Sequence, residues 1–129
     1  MENKFIFLNM ADTKRQKQVG KLIQKELSDI FKREGLNIVG GGMISITSVS
    51  LTPDLLEARI YLSFFKITDN EQMLNLIRER SWEIKKQLSE RVKHQLRRIP
   101  ELHYMHDDTL DQVFKMEELL KKIRDQDKG

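Results

Sequence analysis

The sequence predicts an α+β domain in which one helix precedes a β-hairpin and a long helical stretch follows it. Three observations carry this prediction. Apolar residues recur at helical spacing over residues 14–33, alternate over residues 43–65, and return to helical spacing over residues 68–100. With 129 residues, of which 39% are hydrophobic, the chain fits one domain with one core.

The first helix is predicted to be apolar on one face and basic on the other. Asp12 or Thr13 can cap its start, and Gly35 can end it in a left-handed conformation. The apolar face carries Val19, Leu22, Ile23, Leu27, Ile30 and Phe31, and the opposite face carries Lys14, Lys17, Lys21, Lys25 and Lys32. Many lysine faces are simply solvated, but no acids are interleaved with this one, so it is a candidate for phosphate contacts.

The hairpin is the most informative segment of the chain. Residues 47–65 read TSVSLTPDLLEARIYLSFF, with two alternating apolar runs around a Pro-Asp turn. The inward parity of the first strand shifts by one, which predicts a β-bulge near Thr47 and Ser48. Three glycines at residues 40–42 precede this strand. No Gly-Lys-Ser/Thr sequence follows them, so we interpret them as a flexible entry to the strand and not as a phosphate-binding loop.

A long helical stretch follows the hairpin. Capping-box patterns at residues 68–72 predict its start, and helical spacing then continues to Pro100. About 28 residues is long for a helix in so small a domain, so we expect a kink near Ser81. The kink would turn the Trp82 indole inward to fill the elbow, which is the interpretation we favour. In a straight helix the indole would project toward Lys86 and Lys93 and could stack on a base.

Charge is distributed unevenly along the chain. The formal net charge is only +3, yet residues 14–33 carry seven Lys/Arg against two acids, and residues 78–98 carry eight against three. Such a distribution is typical of a protein that presents one side to a polyanion. The helix macrodipole can account for Arg97 and Arg98 at the end of the predicted helix. It cannot account for Lys85, Lys86 and Lys93, which are therefore stronger candidates for phosphate contacts.

The sequence offers little support for catalysis or metal binding. It has no cysteine, which excludes a disulfide framework and thiolate metal sites. His103 and His106 lie three residues apart in an extended segment and so point to opposite faces. We therefore expect no metal, no cofactor and no enzyme activity. Asp107 to Thr109 are predicted to end the third strand and cap a last helix, whose core residues would be Met116, Leu119, Leu120 and Ile123.

Together these segments resemble one protein family over roughly residues 14–123. The resemblance rests on the first helix, on the hairpin, and on three later segments: Ile-Pro-Glu-Leu at 99–102, Asp-Thr at 108–109 and Glu-Leu-Leu at 118–120. The family is bacterial ribosome-binding factor A. The resemblance implies a KH-like type II fold with the order α-β-β-α(kink)α-β plus a C-terminal helical segment.

The resemblance also implies a function. It implies a cytoplasmic, monomeric, non-enzymatic factor that binds the 30S ribosomal subunit precursor, contacts 16S rRNA and promotes late maturation, with assembly GTPases as functional partners. Residues 80–82 read Arg-Ser-Trp where the family usually has Ala-x-Gly, and no KH-type Gly-x-x-Gly loop is present. We therefore expect contact with structured RNA through side chains. The alternative is a KH-like protein-interaction module whose basic faces are only solvated.

The predicted RNA-binding residues lie on the first helix and on the kinked helix with the segment after it. They are Lys14, Arg15, Lys17, Lys21, Lys25, Arg80, Trp82, Lys85, Lys86, Arg91, Lys93, Arg97 and Arg98.

We expect a single KH-like domain over residues 13–124, an N-terminal extension over residues 1–12 and a tail over residues 125–129. The extension contains a Phe-Ile-Phe-Leu run at residues 5–8, which is too short to cross a membrane. Either Met10 is the natural start, or the first nine residues are disordered and dispensable. In a third arrangement, Phe5 and Phe7 cover an exposed part of the sheet.

Overall fold

The computed structural model describes residues 13–127, apart from the side chains of residues 109–114, 126 and 127. Its elements are α1 (Lys14–Arg33), β1 (Ile38–Val39), β2 (Gly42–Leu51), β3 (Glu57–Phe65), α2 (Asn70–Glu79), α3 (Ser81–Val92), β4 (Glu101–His106) and α4 (Thr109–Asp127). The predicted α+β order is confirmed, with β1 as an additional strand. The predicted extension over residues 1–12, including the Met10 start and residues 5–8, lies outside the described residues. The domain bounds stay a prediction.

The four strands form one mixed sheet in the order β1-β2-β3-β4. β1 and β2 pair antiparallel, as do β2 and β3, whereas β3 and β4 pair parallel. A parallel pair requires a crossover connection, which α2 and α3 provide. The hydrophobic core lies where α1, α2 and α3 pack against the sheet, and its fully buried residues include Ile23, Leu27, Ile60, Leu62 and Leu88. None of the described helices has an apolar stretch long enough to cross a membrane.

The glycines at the entry to β2 form a hairpin turn with β1, a strand that the sequence did not predict. Gly40 and Gly41 have φ of 56° and 82° and connect β1 to β2, with Ile38 opposite Met43. A two-residue hairpin turn of this kind favours positive φ at both central positions, which glycine adopts without steric cost. β1 escaped prediction because two residues are too few to show an alternating pattern.

The predicted bulge and turn of the main hairpin are both confirmed. The β2–β3 register shifts between Ile46 and Ser48, which leaves Thr47 as the extra residue. The Thr47 hydroxyl lies 2.9 Å from a carboxylate oxygen of Asp107 and 3.2 Å from the carbonyl oxygen of Tyr61. The bulge is thereby tied to the chain just beyond β4.

One stripe of α1 contacts the backbone of β2. Gln16, Gly20 and Gln24 are spaced four residues apart, and the two glutamine amides donate to the carbonyl oxygens of Leu51 at 2.9 Å and Ile46 at 3.1 Å. β1 pairs only with the first two residues of β2, so the described strands leave most of that edge unpaired. The glutamines supply donors there, which also protects the edge from pairing with other chains.

The kink predicted near Ser81 is confirmed, but the helix ends earlier than expected. Arg80 has φ −93° and ψ 6° and separates α2 from α3. The N–H groups of Gln95 and Leu96 both donate to the carbonyl of Val92, which closes a tight turn and buries Leu96. Arg97 and Arg98 therefore lie outside a helix, and the macrodipole explanation for them was wrong.

The predicted core residues of the last helix are exposed. The exposed fractions of Met116, Leu119, Leu120 and Ile123 range from 46% to 57%, so their assignment to the core was wrong. Helical spacing predicts that a helix has an apolar face, but it does not show which part of the protein covers that face.

We predict that Gly20→Ala destabilises the protein. In an open helix position this change stabilises by up to about 1 kcal/mol, because alanine is the better helix former. Here a Cβ atom would lie 2.9 Å from the Val49 carbonyl oxygen, so two backbone segments must separate. We expect a loss of about 1–3 kcal/mol in the free energy of unfolding, measured by urea denaturation. The control is Ser28→Ala on the exposed face of α1, which should be neutral or slightly stabilising. A more stable Gly20→Ala protein would contradict the close approach.

Candidate nucleic-acid interface

The basic face of α1 is open to solvent. Thr13 caps the helix: its hydroxyl accepts from the Gln16 N–H at 3.1 Å, and the Gln16 side chain accepts from the Thr13 N–H at 2.8 Å. Because the opposite face is buried, five exposed lysines line the outside of the helix: Lys14, Lys17, Lys21, Lys25 and Lys32. Within residues 13–108 and 115–125 none of them forms an ion pair. We call these residues the lysine stripe.

Arg91 faces α1 and is held by two carboxylates. Its Nη1 atom lies 2.6 Å from Asp29 Oδ2 and 3.2 Å from Glu26 Oε2, and its side chain is 23% exposed. The hydrogen bond from Arg91 holds the pKa of Asp29 below its usual value, and the same bond raises the pKa of Arg91. Arg91 therefore acts in this conformation as a structural cation that joins α1 to α3.

Two more of the predicted RNA-binding cations have partners within the protein. Arg80 Nη2 lies 2.8 Å from Glu34 Oε2, and hydrogen bonds from Gln87 and then Arg80 lower the pKa of Glu34. Lys85 Nζ lies 3.0 Å from Glu101 Oε2. The Lys85 pair is partly exposed, and such pairs contribute little to stability. Lys85 could therefore exchange its carboxylate for a phosphate at small cost.

Trp82 is exposed, so the interpretation of its indole as a core residue was wrong. Its side chain is 75% accessible and lies on the outer face of α3, with Lys86 Nζ 5.6 Å from the ring centre. The elbow is instead filled from β4 by Tyr104, whose ring lies 6.4 Å from that of Phe31. Burial raises the pKa of Tyr104, and contact with Ser81 opposes this shift only in part.

The two histidines of β4 point to opposite sides of the strand, as predicted. His103 Nε2 lies 3.2 Å from Glu57 Oε1, whereas the ring of His106 stacks on Phe64 with the centroids 5.0 Å apart. Among the residues whose side chains are described, no three potential ligand side chains converge on a point where a metal ion could bind.

Sequence reasoning missed a cleft at the start of α1. It has a volume of about 610 Å³ and lies between α1, the β2–β3 turn and the segment after α3. Arg15, Arg97 and Arg98 are among its lining residues, and all three are exposed. Arg15 lies about 80 positions from the other two in the sequence, so no local pattern could have indicated that they converge.

We predict that Trp82→Ala lowers the free energy of unfolding by well under about 1 kcal/mol, because the indole loses little packing. Ile84→Ala, two residues further along α3, is the matched control. Ile84 is fully buried and its truncation should cost about 2–5 kcal/mol. Urea denaturation of both variants measures the difference. Equal losses would show that Trp82 is packed in solution.

We predict that Arg91→Gln changes the pH dependence of stability. The pKa of Asp29 is lower in the folded than in the unfolded state. The ion pair with Arg91 therefore stabilises the fold fully above the unfolded pKa of Asp29, and this stabilisation is lost as pH falls through the folded pKa. The melting temperature of the variant should lie below that of the wild type at pH 7, and the difference between the two melting temperatures should narrow toward about pH 3. Thermal melts over this range measure it. Lys32→Gln, which removes an unpaired charge, should show a small gap that hardly changes with pH.

Comparison with known proteins agrees with this architecture. The family model of ribosome-binding factor A matches residues 15–120. Ribosome-binding factor A of Cytophaga hutchinsonii is 40% identical over 109 residues, which cover 84% of this chain and 82% of that protein. The Flavobacterium johnsoniae protein of the same name is 42% identical over 110 residues, which cover 84% and 85%.

A crystal structure and a homology model fitted into a cryo-EM map share the fold. The crystal structure of ribosome-binding factor A from Thermus thermophilus has a TM-score of 0.60 at 16% identity, covering 70% of this chain and 94% of that one. A model of the Thermus thermophilus factor fitted into a cryo-EM map of its complex with the 30S subunit has a TM-score of 0.54 at 18% identity, covering 67% and 88%. From the extent of the family match and the identity to these relatives, the chain belongs to the ribosome-binding factor A family.

Proposed function

We propose that this protein binds the 30S ribosomal subunit precursor, contacts 16S rRNA and promotes late maturation as a non-enzymatic assembly factor. Membership of the family supports this proposal, as does the Thermus thermophilus factor, which was fitted into a map of a 30S complex. We further propose that the protein acts in the cytoplasm as a monomer, with assembly GTPases as functional partners.

The lysine stripe is the observation in this chain that carries the proposal. From Lys14 to Lys32 it spans about 27 Å of helix at 1.5 Å per residue, long enough to follow several phosphates of an RNA backbone. The described acids that lie near it, Glu26 and Asp29, are turned to Arg91 and Arg33. The five ammonium groups therefore keep their charge available for a polyanion.

The outer face of α3 provides a second contact surface. Trp82 and Lys86 are exposed there, and the exposed Lys93, which caps the end of α3, continues the spacing of the same helical face. An exposed indole can stack on an unpaired base, and lysines beside it can contact the flanking phosphates. The elbow lacks the glycine that brings a KH backbone close to nucleotides, so contact in this region is made through side chains.

The mechanism that follows is stabilisation of one rRNA conformation. Phosphate contacts fix the position of a protein on RNA without reading its sequence. A factor that binds one conformation more tightly than another shifts the population toward it. The two basic surfaces would hold a segment of 16S rRNA in place while neighbouring parts of the subunit mature.

We predict that replacing Lys14, Lys17 and Lys21 together with Gln weakens binding to 30S subunits and reduces its salt dependence. Cosedimentation over a salt series measures both, and the slope of log affinity against log salt should flatten by up to about three units. Thermal stability should hardly change, because exposed charges contribute little to folding. The matched control replaces Lys115, Lys121 and Lys122 of α4 with Gln, which removes the same charge and should leave the slope unchanged.

A slope that stays at the wild-type value in the α1 variant would contradict the assignment of the stripe to RNA. Subunit binding that hardly depends on salt in the wild type would favour protein contacts instead, with the basic faces only solvated.

A further inference from the structure

We propose that the cleft at the start of α1 binds one unpaired nucleotide of the RNA. Its base would lie against the apolar wall and its phosphate would bind the arginines. This inference rests on the proposed function and adds a specific subsite to it.

Three separate segments build the cleft. α1 contributes Arg15, the β2–β3 turn contributes Leu55 and Leu56, and the segment after α3 contributes Arg97 and Arg98. The volume of about 610 Å³ lies within the range of sites that enclose a small organic ligand, so a base with its ribose and phosphate fits. The tight turn at Val92 leads into the last segment, whose Leu96 is buried and lines the cleft together with the two arginines that follow.

The three arginines that line the cleft form no ion pair within residues 13–108 and 115–125, so they can bind an anion. Arg33, Arg80 and Arg91 each bind a carboxylate of this chain. By contrast, Arg97 and Arg98 have no such partner within residues 13–108 and 115–125, and Arg15 makes only a 3.4 Å contact with the carbonyl oxygen of Gln95. Arginine binds phosphate through two parallel N–H groups and can also lie flat on a base, which suits it to a nucleotide site.

The β2–β3 turn determines which part of a bound nucleotide lies at which side of the cleft. Asp54 Oδ1 accepts from the Thr52 hydroxyl at 2.6 Å and from the Leu56 N–H at 3.1 Å, and these bonds hold the pKa of Asp54 below its usual value. This carboxylate therefore stays charged at neutral pH and repels phosphate from the turn. The phosphate would therefore lie at the arginines, and the base would lie against the leucines.

The conformation of the turn presents an apolar wall. Leu55 has φ of 61°, a left-handed conformation that is unfavourable for leucine, and strain of this kind is often retained at binding sites. Leu56 beside it is 45% exposed. Leu55 also packs partly against the hydrophobic core, so Leu56 supplies the more exposed part of the wall, at a turn position where small and polar residues are preferred.

A nucleotide explains the cleft better than an acidic peptide does. Lys14 and Lys17 of the lysine stripe flank Arg15 on the same helix, so a backbone that leaves the cleft would continue along further cations. A polyanion can contact the whole row of cations, whereas a single carboxylate can contact only one part of it. The apolar wall adds a surface for a flat base, which a carboxylate side chain lacks.

The test compares two fluorescent probes of equal charge by polarisation: a single-stranded RNA of six adenosines and the same chain with every base removed. The wild type should bind the adenosine probe about tenfold more tightly than the abasic one. Leu56→Ser should bring this ratio close to one, since it removes apolar wall from an exposed position. Arg97→Gln with Arg98→Gln should lower the affinity for both probes by about tenfold or more. Lys121→Gln with Lys122→Gln is the matched control and should change neither affinity more than about twofold.

Amide chemical shifts of the wild type locate the adenosine probe, with changes expected at Leu55, Leu56 and Leu96. Equal affinity for the two probes, or shifts confined to α1, would overturn the nucleotide subsite, and the lysine-stripe experiment would still decide the proposed function. Displacement of the adenosine probe by hexaglutamate at lower concentration than by unlabelled RNA would also overturn it and make the cleft a protein site. Binding in the cleft without cosedimentation would uphold the subsite while the proposed function failed.

Discussion

The close approach of α1 to the backbone of β2 is the constraint on which the rest of the structure depends. Gly20 permits it, because any side chain at this position would meet the Val49 carbonyl oxygen. Gln16 and Gln24, one turn before and after, bind β2 carbonyl groups and so fix both the rotation and the register of the helix. With the rotation fixed, the apolar face covers the sheet and the lysine stripe can only face solvent. The same contact brings the start of α1 beside the β2–β3 turn, where the cleft forms.

The acidic residues of α1 and its C-terminal cap divide the cations of the protein into two groups. Glu26, Asp29 and Glu34 lie where α1 faces α3, and they bind Arg91 and Arg80. Removing one partner of such a half-buried pair leaves a charge without compensation, so these arginines stabilise the packing of the two helices. The lysine stripe, Lys86, Lys93 and the cleft arginines form no ion pair with these acids, although Lys25 and Lys32 line a groove together with Glu26 and Asp29. Their positive charge therefore remains on the surface, although the whole chain is nearly balanced.

The features that sequence predicted correctly depend on neighbouring residues. Caps, the Asp54 turn, the bulge at Thr47 and the break near Ser81 each follow from a short pattern with a direct steric or hydrogen-bonding cause. The errors concern contacts between distant segments. The rotation of Trp82 depends on Tyr104 filling the elbow from β4, the end of α3 depends on the burial of Leu96, and the exposure of α4 depends on what packs against it. The division of the basic residues could not be predicted either, since Arg91 finds its carboxylates more than 60 positions away.

The two kinds of cation on this surface suit two stages of RNA binding. Lysines on an exposed helix attract phosphate at a distance, but at physiological salt their field decays over about 8 Å, and a flexible ammonium group accepts many phosphate positions. Arginine binds phosphate with a fixed geometry, and in the proposed subsite the apolar wall would admit a base only where the RNA is unpaired. The lysine stripe would therefore attract the RNA, and the cleft would fix the position of the RNA along the protein. A factor built this way would hold an RNA backbone at one position without reading more than a single base.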